Sequence, residues 1–394
     1  MSKPKFSLLQ RDAFLCTVLT FIVAAIIYGV FVNLSILDPF EKAFKDFYFT
    51  DIFYSKKFKE AERNDKIIII NVKHADRFTI ASAIQKVADQ NPKVIGLDMI
   101  FKEKRIAFTD SILNDVLTRN DNIVTSYFRD GDSIVKNHPY FISRPEKEGF
   151  INLNLENQTS VIRDFIGVQG DDELTYSFPT QLAIHSGLLD KQFADDKLTH
   201  RLPINYIGNK DAFLSFDIDN VVVEDAIPAF KDAIVIFGYL GDENDNFDIE
   251  DKHFTPLNEA WVGRSVPDTF GVSIHANVVH MLTKGKLIKR TPKVIIYVLT
   301  FVICYLVVLL GMKIYKRSNL AYDLTIKVIQ LVVSFILLWI SLKLLEKNLY
   351  VNTAPILILS VLGIEMIDYY VYLISYLNKK HQWQSYILES SSSV

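Results

Sequence analysis

Four long apolar stretches constrain this chain more than any other feature of it. Residues 13–32, AFLCTVLTFIVAAIIYGVFV, carry no charge. At about 1.5 Å per residue they are long enough to cross a hydrocarbon core of about 30 Å. Three more such stretches, 294–312, 325–345 and 354–376, follow near the end with short connections between them. They predict one N-terminal and three C-terminal membrane helices. The 49% hydrophobic content and mean hydropathy of +0.17 are then concentrated in discrete segments, which is not the pattern of an ordinary soluble enzyme. The first stretch exceeds the roughly 7 to 15 residues of a cleavable signal core, and no A-x-A-like site follows it, so an uncleaved anchor is expected.

Basic residues set the expected orientation. Lys3, Lys5 and Arg11 precede the first stretch, Lys313, Lys316 and Arg317 follow the second, and Lys379 and Lys380 follow the fourth. With four crossings all three groups fall on one side, which the positive-inside bias makes the cytoplasm. Tails 1–12 and 377–394 are then cytoplasmic, and 33–293 is one large extracytoplasmic region. Lys284, Lys286, Lys289, Arg290 and Lys293 fall on the other side, but long translocated domains cross largely regardless of charge. The expected location is a bacterial plasma membrane, with membrane lipid as an obligatory partner. A net charge of −3 gives no basic footprint for nucleic acid, which is excluded as a partner. Both cysteines, Cys16 and Cys304, sit in apolar stretches, so the outer region has neither a disulfide nor a Cys-ligated metal.

The outer region, about 260 residues, is enough for one domain with a substantial core. Its clearest patterns alternate strand with helix. Lys66–Val72 (KIIIINV) reads as a strand buried on both faces. In Phe78–Asp89, Ile80, Ile84, Val87 and Ala88 recur at helical spacing until Asn91-Pro92 stops the helix. Lys93–Leu97 is a second strand, Ser111–Leu117 part of a second helix, and Asn122–Tyr127 a third strand. A helix is expected around Phe178–Leu189, a buried strand at Ala233–Phe237, and a helix from about Val272 to Thr283. The β-α-β-α-β order predicts an α/β domain with a mainly parallel sheet.

In several of these segments the chain resembles a known family, the second type of cyclase/histidine-kinase-associated sensory extracellular domain. The resemblance rests on Lys93–Phe101 (KVIGLDMIF), Gly149–Asn152 leading to Arg163, and Ile234–Gly238 with Asp242 to Asp248 and Thr255-Pro256. Gly271–Asn277 (GVSIHAN), followed by three clustered apolar stretches, completes it. The resemblance implies one span, an extracytoplasmic sensor, three spans, and then a cytoplasmic effector. Two departures stand out. Asn71-Val-Lys-His74 occupies the position where the family carries an acidic pair. About 17 residues follow the fourth stretch, too few for a kinase or cyclase domain.

In an open α/β sheet, ligands bind outside the carboxyl ends of the parallel strands. Lys73, His74, Asp98 and Gly238 to Asp242 are expected there, and Gly271–Asn277 brings Ser273, His275 and Asn277 towards the same crevice. Asp98, Arg163, Asp242, His275 and Asn277 are therefore candidate ligand-binding residues. The alternative is that Asp98 and His275 are buried polar groups satisfied by backbone, and that Arg163 pairs with a structural carboxylate instead of an anionic ligand. Gly241–Asp251 is rich in acids, but counting from Asp242 an EF-hand fails at Phe247 and His253, so it reads as a solvated loop. His275 and His280 do not share a helix face, no metal site is expected, and there is no P-loop, G-x-G-x-x-G, G-x-S-x-G or H-E-x-x-H. Glu365 and Asp368 share a helix face inside the fourth stretch. Lys327 or Gln330 is the expected partner, unless tilt already brings these carboxylates to the headgroups.

These observations predict a membrane sensor that binds an unknown extracytoplasmic ligand and relays a change through its spans to a separate cytoplasmic or membrane signalling protein. No catalysis of its own and no cofactor are expected. Ala25 and Gly29 form a small-xxx-small face that suits a homodimer. The rival reading is a cell-envelope enzyme or a component of a transport complex.

Overall fold

A computed structural model of the chain describes residues 7–32, 51–55, 62–131, 133–153, 161–170, 173–242, 250–258, 267–315, 319–381, 383–386 and 388. Two compact units result, Lys42–Ile288 and Met1–Glu41 together with Lys289–Val394. Residues 243–249 of the acidic run lie outside the described residues, as do Lys3, Lys5, Lys316 and Arg317.

In the first unit seven strands form the main sheet: β1 (Asn64–Asn71), β2 (Val94–Leu97), β3 (Ile123–Asp130), β4 (Ser133–Val135), β5 (Glu148–Phe150), β6 (Phe213–Asp217) and β7 (Ile234–Gly238). Their order is β6-β1-β7-β2-β3-β4, with β5 beside β3. Every pairing is parallel except β3 with β4. Four consecutive isoleucines anchor the centre. Their β-branched side chains favour a pleated strand. The period of two sends Ile68 and Ile70 to one face and Ile67 and Ile69 to the other, all four buried.

Both faces are covered by helices, as a parallel sheet requires. Ile68, Ile70, Ile95, Val235 and Phe237 pack against helices Arg77–Ala88, Ala107–Arg119 and Ile218–Val223. On the other face Ile67, Ile69, Val94, Ile234 and Ile236 meet helices Phe178–His185 and Gly271–Thr283. Side-chain caps explain where two of these helices begin. Asp76 accepts from the Thr79 backbone N–H at 2.8 Å, and Ser177 caps a first turn in which Pro179 has no N–H to satisfy. Asn91, at φ +56°, turns the chain out of the helix into β2, a conformation that asparagine tolerates. Gly271–Thr283 is buried from Gly271 through Leu282, as a helix between a sheet and a further apolar layer must be. That layer includes Ile162, Val168, Leu198 and Tyr206, against which Ile274, Val278 and Met281 of the helix pack.

Among the described residues the second unit contains four helices long and apolar enough to cross a membrane, Leu8–Gly29, Lys293–Tyr315, Thr325–Glu346 and Ala354–His381. The first begins within the helix Leu8–Val32 and the third lies within Asn319–Glu346. The chain is thus one N-terminal and three C-terminal apolar helices plus a mainly parallel α/β domain. Gly363 lets two of the helices touch, since a Cβ there would stand 2.7 Å from Cys304 Sγ.

Candidate functional site

The strand ends and one helix N-terminus build the site. Asn71 ends β1 and is wholly committed. Its side-chain oxygen Oδ1 accepts from the Leu240 N–H at 2.9 Å and the Lys73 N–H at 3.2 Å, and its side-chain Nδ2 donates to the Gly241 carbonyl at 2.8 Å and to Asp217 at 3.2 Å. Two residues on, Lys73 pairs with Asp217 at 2.7 Å, and that hydrogen bond, ahead of the charges of Asp217, Asp219 and Asp242, raises its pKa. Asp242 is exposed and contributes charge to this cluster.

Asp98 follows β2, its backbone N–H held by the Phe237 carbonyl at 2.8 Å. The residue keeps some surface, but its carboxyl is enclosed. Burial, then the nearby Asp251 carboxylate, pushes it up to about 8. Beside it, Gly238 ends β7. A Cβ there would stand 2.6 Å from Val272 and 3.4 Å from the Asp98 Cβ, so glycine is what lets the Gly271–Thr283 helix close on the sheet. Asp251, at φ +53°, crowns the first turn of that helix. Its backbone carbonyl accepts from the Gly271 N–H at 3.0 Å, and its carboxylate lies 2.8 Å from where a Gly271 Cβ would be. The helix dipole favours an anion in that position.

His275 points one turn further in. It is buried, edge-on to Phe178 at 5.6 Å, and burial lowers its pKa to about 4. Asp251 opposes that shift and His253 adds to it. His253 itself pairs with Asp251 at 3.5 Å, and the strand Lys252–His253 is held by a two-residue ladder to Thr269–Phe270. One carboxylate, Asp251, therefore acts on both Asp98 and His275. Such an arrangement couples the charge of one carboxylate to two enclosed titratable groups. Among the described residues no three His, Cys, Asp or Glu side chains are grouped to hold a metal ion.

The structure brings Asp98, His275 and, through Lys73, Asp242 to the carboxyl edge of one sheet, but it does not bring Arg163 or Asn277 into the same set of contacts. Arg163 forms a two-pronged buried pair with Asp51, 3.0 Å and 2.6 Å, and thus takes the structural-carboxylate alternative. Asn277 spends its amide on backbone, accepting from Ile207 N–H and donating to the Gly208 and Ser273 carbonyls. Asp251, His253 and Asn71 are the site residues that sequence reasoning did not select. The signal available for Asp251 was that the acidic run ends just before a short apolar-flanked bridge to the GVSIHAN helix.

In the membrane unit, Glu365 is partnered by both Lys327 and Gln330, the latter at 3.2 Å. Glu365 and Asp368 are exposed in the isolated chain. A second polar centre was not expected. Asp12, inside the first helix and fully buried, accepts from Tyr370 (3.2 Å), Ser385 (2.7 Å) and the Tyr386 backbone (2.8 Å).

Compared with known proteins, the CHASE2 domain family matches residues 21–313. No curated protein and no solved structure matches the chain.

Proposed function

The chain belongs to the CHASE2 domain family, and we propose, from that premise, that this membrane sensor reads its surroundings at the carboxyl edge of the sheet and relays the result to a separate signalling protein. A sensory domain and four apolar helices make it a multi-pass membrane protein with a sensor role. The finer reading is carried by one observation, the shared Asp251 carboxylate beside an enclosed Asp98 and a buried, neutral His275. A ligand or proton that changes any of the three changes the charge at the start of the Gly271–Thr283 helix, and that helix is buried through its length.

In this reading the domain is extracytoplasmic and both tails are cytoplasmic, in the plasma membrane of a bacterium. The chain performs no catalysis itself. Output passes by movement of the spans, whose exposed polar face at Lys327, Glu365 and Asp368, with the half-buried Gln330 beside it, offers contacts to a partner helix. Ala25 and the unobstructed Gly29 suit a second copy of the chain in the same role.

Photo-crosslinkers at Leu331 and Tyr372, both exposed, test this in native membranes. The expected result is a crosslink to a second polypeptide, or to another copy, whose yield changes with Asp98→Asn. Kinase, cyclase or hydrolase turnover by the purified full-length chain alone in bilayers would overturn partner-dependent output. Equal yields with and without Asp98→Asn would overturn the site.

A further inference from the structure

The opposite edge of the same sheet holds a cleft of about 510 Å³ that the sensor reading does not use. It lies where the strands begin. Lys66 comes from the start of β1, Lys93 and Asp232 from the turns into β2 and β7, and Lys284 from the C-cap of the Gly271–Thr283 helix. Leu188 supplies an exposed apolar wall. We propose that this cleft binds a phosphate monoester, held by Lys66, Lys93 and Lys284.

Three observations carry the assignment. First, the cations are available. Most of the charged side chains described above are paired, whereas the ammonium groups of Lys66, Lys93 and Lys284 have no hydrogen-bond or ion-pair partner among the described residues. Second, the charges match. Three lysines against one aspartate, Asp232, leave a surplus of two positive charges in the lining, and a phosphate monoester carries about −1.5 to −2 at neutral pH. Lysine ammoniums are compact point charges that suit a tetrahedral, strongly hydrated anion better than a planar one. Third, the frame is built before any ligand arrives. Asp232 N–H donates to the Asn91 carbonyl at 3.2 Å and Lys93 N–H to the Ala233 carbonyl at 2.9 Å, tying the two turns together. Asn64 is fixed at both ends of its amide, 2.9 Å from the Lys66 N–H and 2.8 Å from His280 Nδ1. The volume falls within the usual range for small-molecule sites and exceeds what a bare phosphate fills, so the esterified group also has room, against Leu188.

The same chemistry is offered by a soluble phosphate ester and by a lipid headgroup. Lysine acetylation footprinting on the full-length wild-type chain in phosphatidylcholine nanodiscs separates them. One arm adds sn-glycerol 3-phosphate, and the other replaces part of the lipid with phosphatidate. Protection of Lys66, Lys93 and Lys284, with Lys231 unchanged, is expected. Protection by glycerol 3-phosphate identifies a soluble ester, and protection by phosphatidate alone identifies a headgroup. The triple variant Lys66→Gln, Lys93→Gln, Lys284→Gln should bind the effective probe at least about tenfold more weakly. No protection of the three lysines in either arm overturns the proposal, as does a folded triple variant that binds as tightly as wild type. Neither result bears on the carboxyl-edge reading, whose residues are untouched.

Discussion

At the carboxyl edge of the sheet Asp98 and His275 are enclosed, each shifted against its charged form, around one shared carboxylate. At the amino edge Lys66, Lys93 and Lys284 stand exposed, without partners among the described residues, around open space. The backbone beneath both edges is the same five parallel strands β6, β1, β7, β2 and β3, so the difference lies in what the connections place there. Enclosed groups are coupled to packing and cannot change state without moving something, which suits transmission. Free exposed cations cost the fold little and are available to a ligand, which suits capture. Substitutions at the first edge should therefore alter the stability of the sheet, and those at the second should alter only binding.

The largest expected effect is at Gly238. Gly238→Val drives a branched side chain into Val272, 2.6 Å from the Cβ position, and should cost about 3 kcal/mol, the upper end of overpacking. Amide exchange along β1, β2 and β7 measures it as a loss of protection. Protection within about 0.5 kcal/mol of wild type would mean that the Gly271–Thr283 helix does not rest on this glycine. Next comes Asn71→Ala, which leaves the Leu240 and Lys73 N–H groups and the Gly241 carbonyl without their side-chain partner. About 2 kcal/mol is expected from these three orphaned backbone groups. The same exchange experiment should show it first in β1 and β7, and unchanged protection there would place the 240–241 turn under other control.

How much of this edge was legible in the sequence depends on the range of the interaction. The strands at 66–72, 93–97, 122–127 and 233–237 and the helices at 78–89 and 272–283 show in local hydrophobic period, and the structure has an element at each. The strand order does not show. β7 inserts between β1 and β2 although it follows them by more than a hundred residues, and nothing in a local pattern encodes that neighbour. The site divides in the same way. Asp98 and His275 show in the sequence because strand ends in parallel sheets are predictable places. Asp251 was passed over because an acidic run looks solvated, and only the close approach of its carboxylate to Gly271 gives it a role. Arg163 reads in sequence either as an anion clamp or as the partner of a structural carboxylate, and that partner, Asp51, lies 112 residues away in sequence. Asp12 reads in sequence as part of a polar tail, since apart from the adjacent Arg11 its partners Tyr370, Ser385 and Tyr386 come from the far end of the chain.

The pH dependence of the carboxyl edge sharpens the comparison further. Asp98 holds its proton up to about 8 in the folded chain and loses it near 3.8 when unfolded. Between those values the folded state binds the extra proton, so stability falls as pH rises. His275 runs the other way. Its folded value of about 4 lies below the ordinary 6.5, so its contribution is complete above 6.5 and is lost as pH falls towards 4. The two oppose each other in the lower window, and above pH 6.5 Asp98 acts alone. Wild-type protection in β2 should therefore decline between pH 6.5 and 8, after correction for intrinsic exchange. In Asp98→Asn that decline should vanish, leaving only a rise between pH 4 and 6.5. A variant that keeps the upper decline would show that another group, not Asp98, carries the proton.

The smallest effect is expected at the amino edge. Lys93→Gln removes an exposed ammonium with no partner among the described residues, so no ion pair is broken and no buried group is orphaned. Protection in β2, the strand it precedes, should stay within about 0.5 kcal/mol of wild type, as for surface changes generally. In low salt it should rise slightly instead, because Lys66 and Lys284 line the same cleft and repel Lys93 when no anion is bound. Raising the ionic strength screens that repulsion and should bring the variant and wild type together. A loss above about 1 kcal/mol at any salt concentration would mean that Lys93 supports the fold, and the contrast between a coupled edge and a receptive one would then fail at this residue.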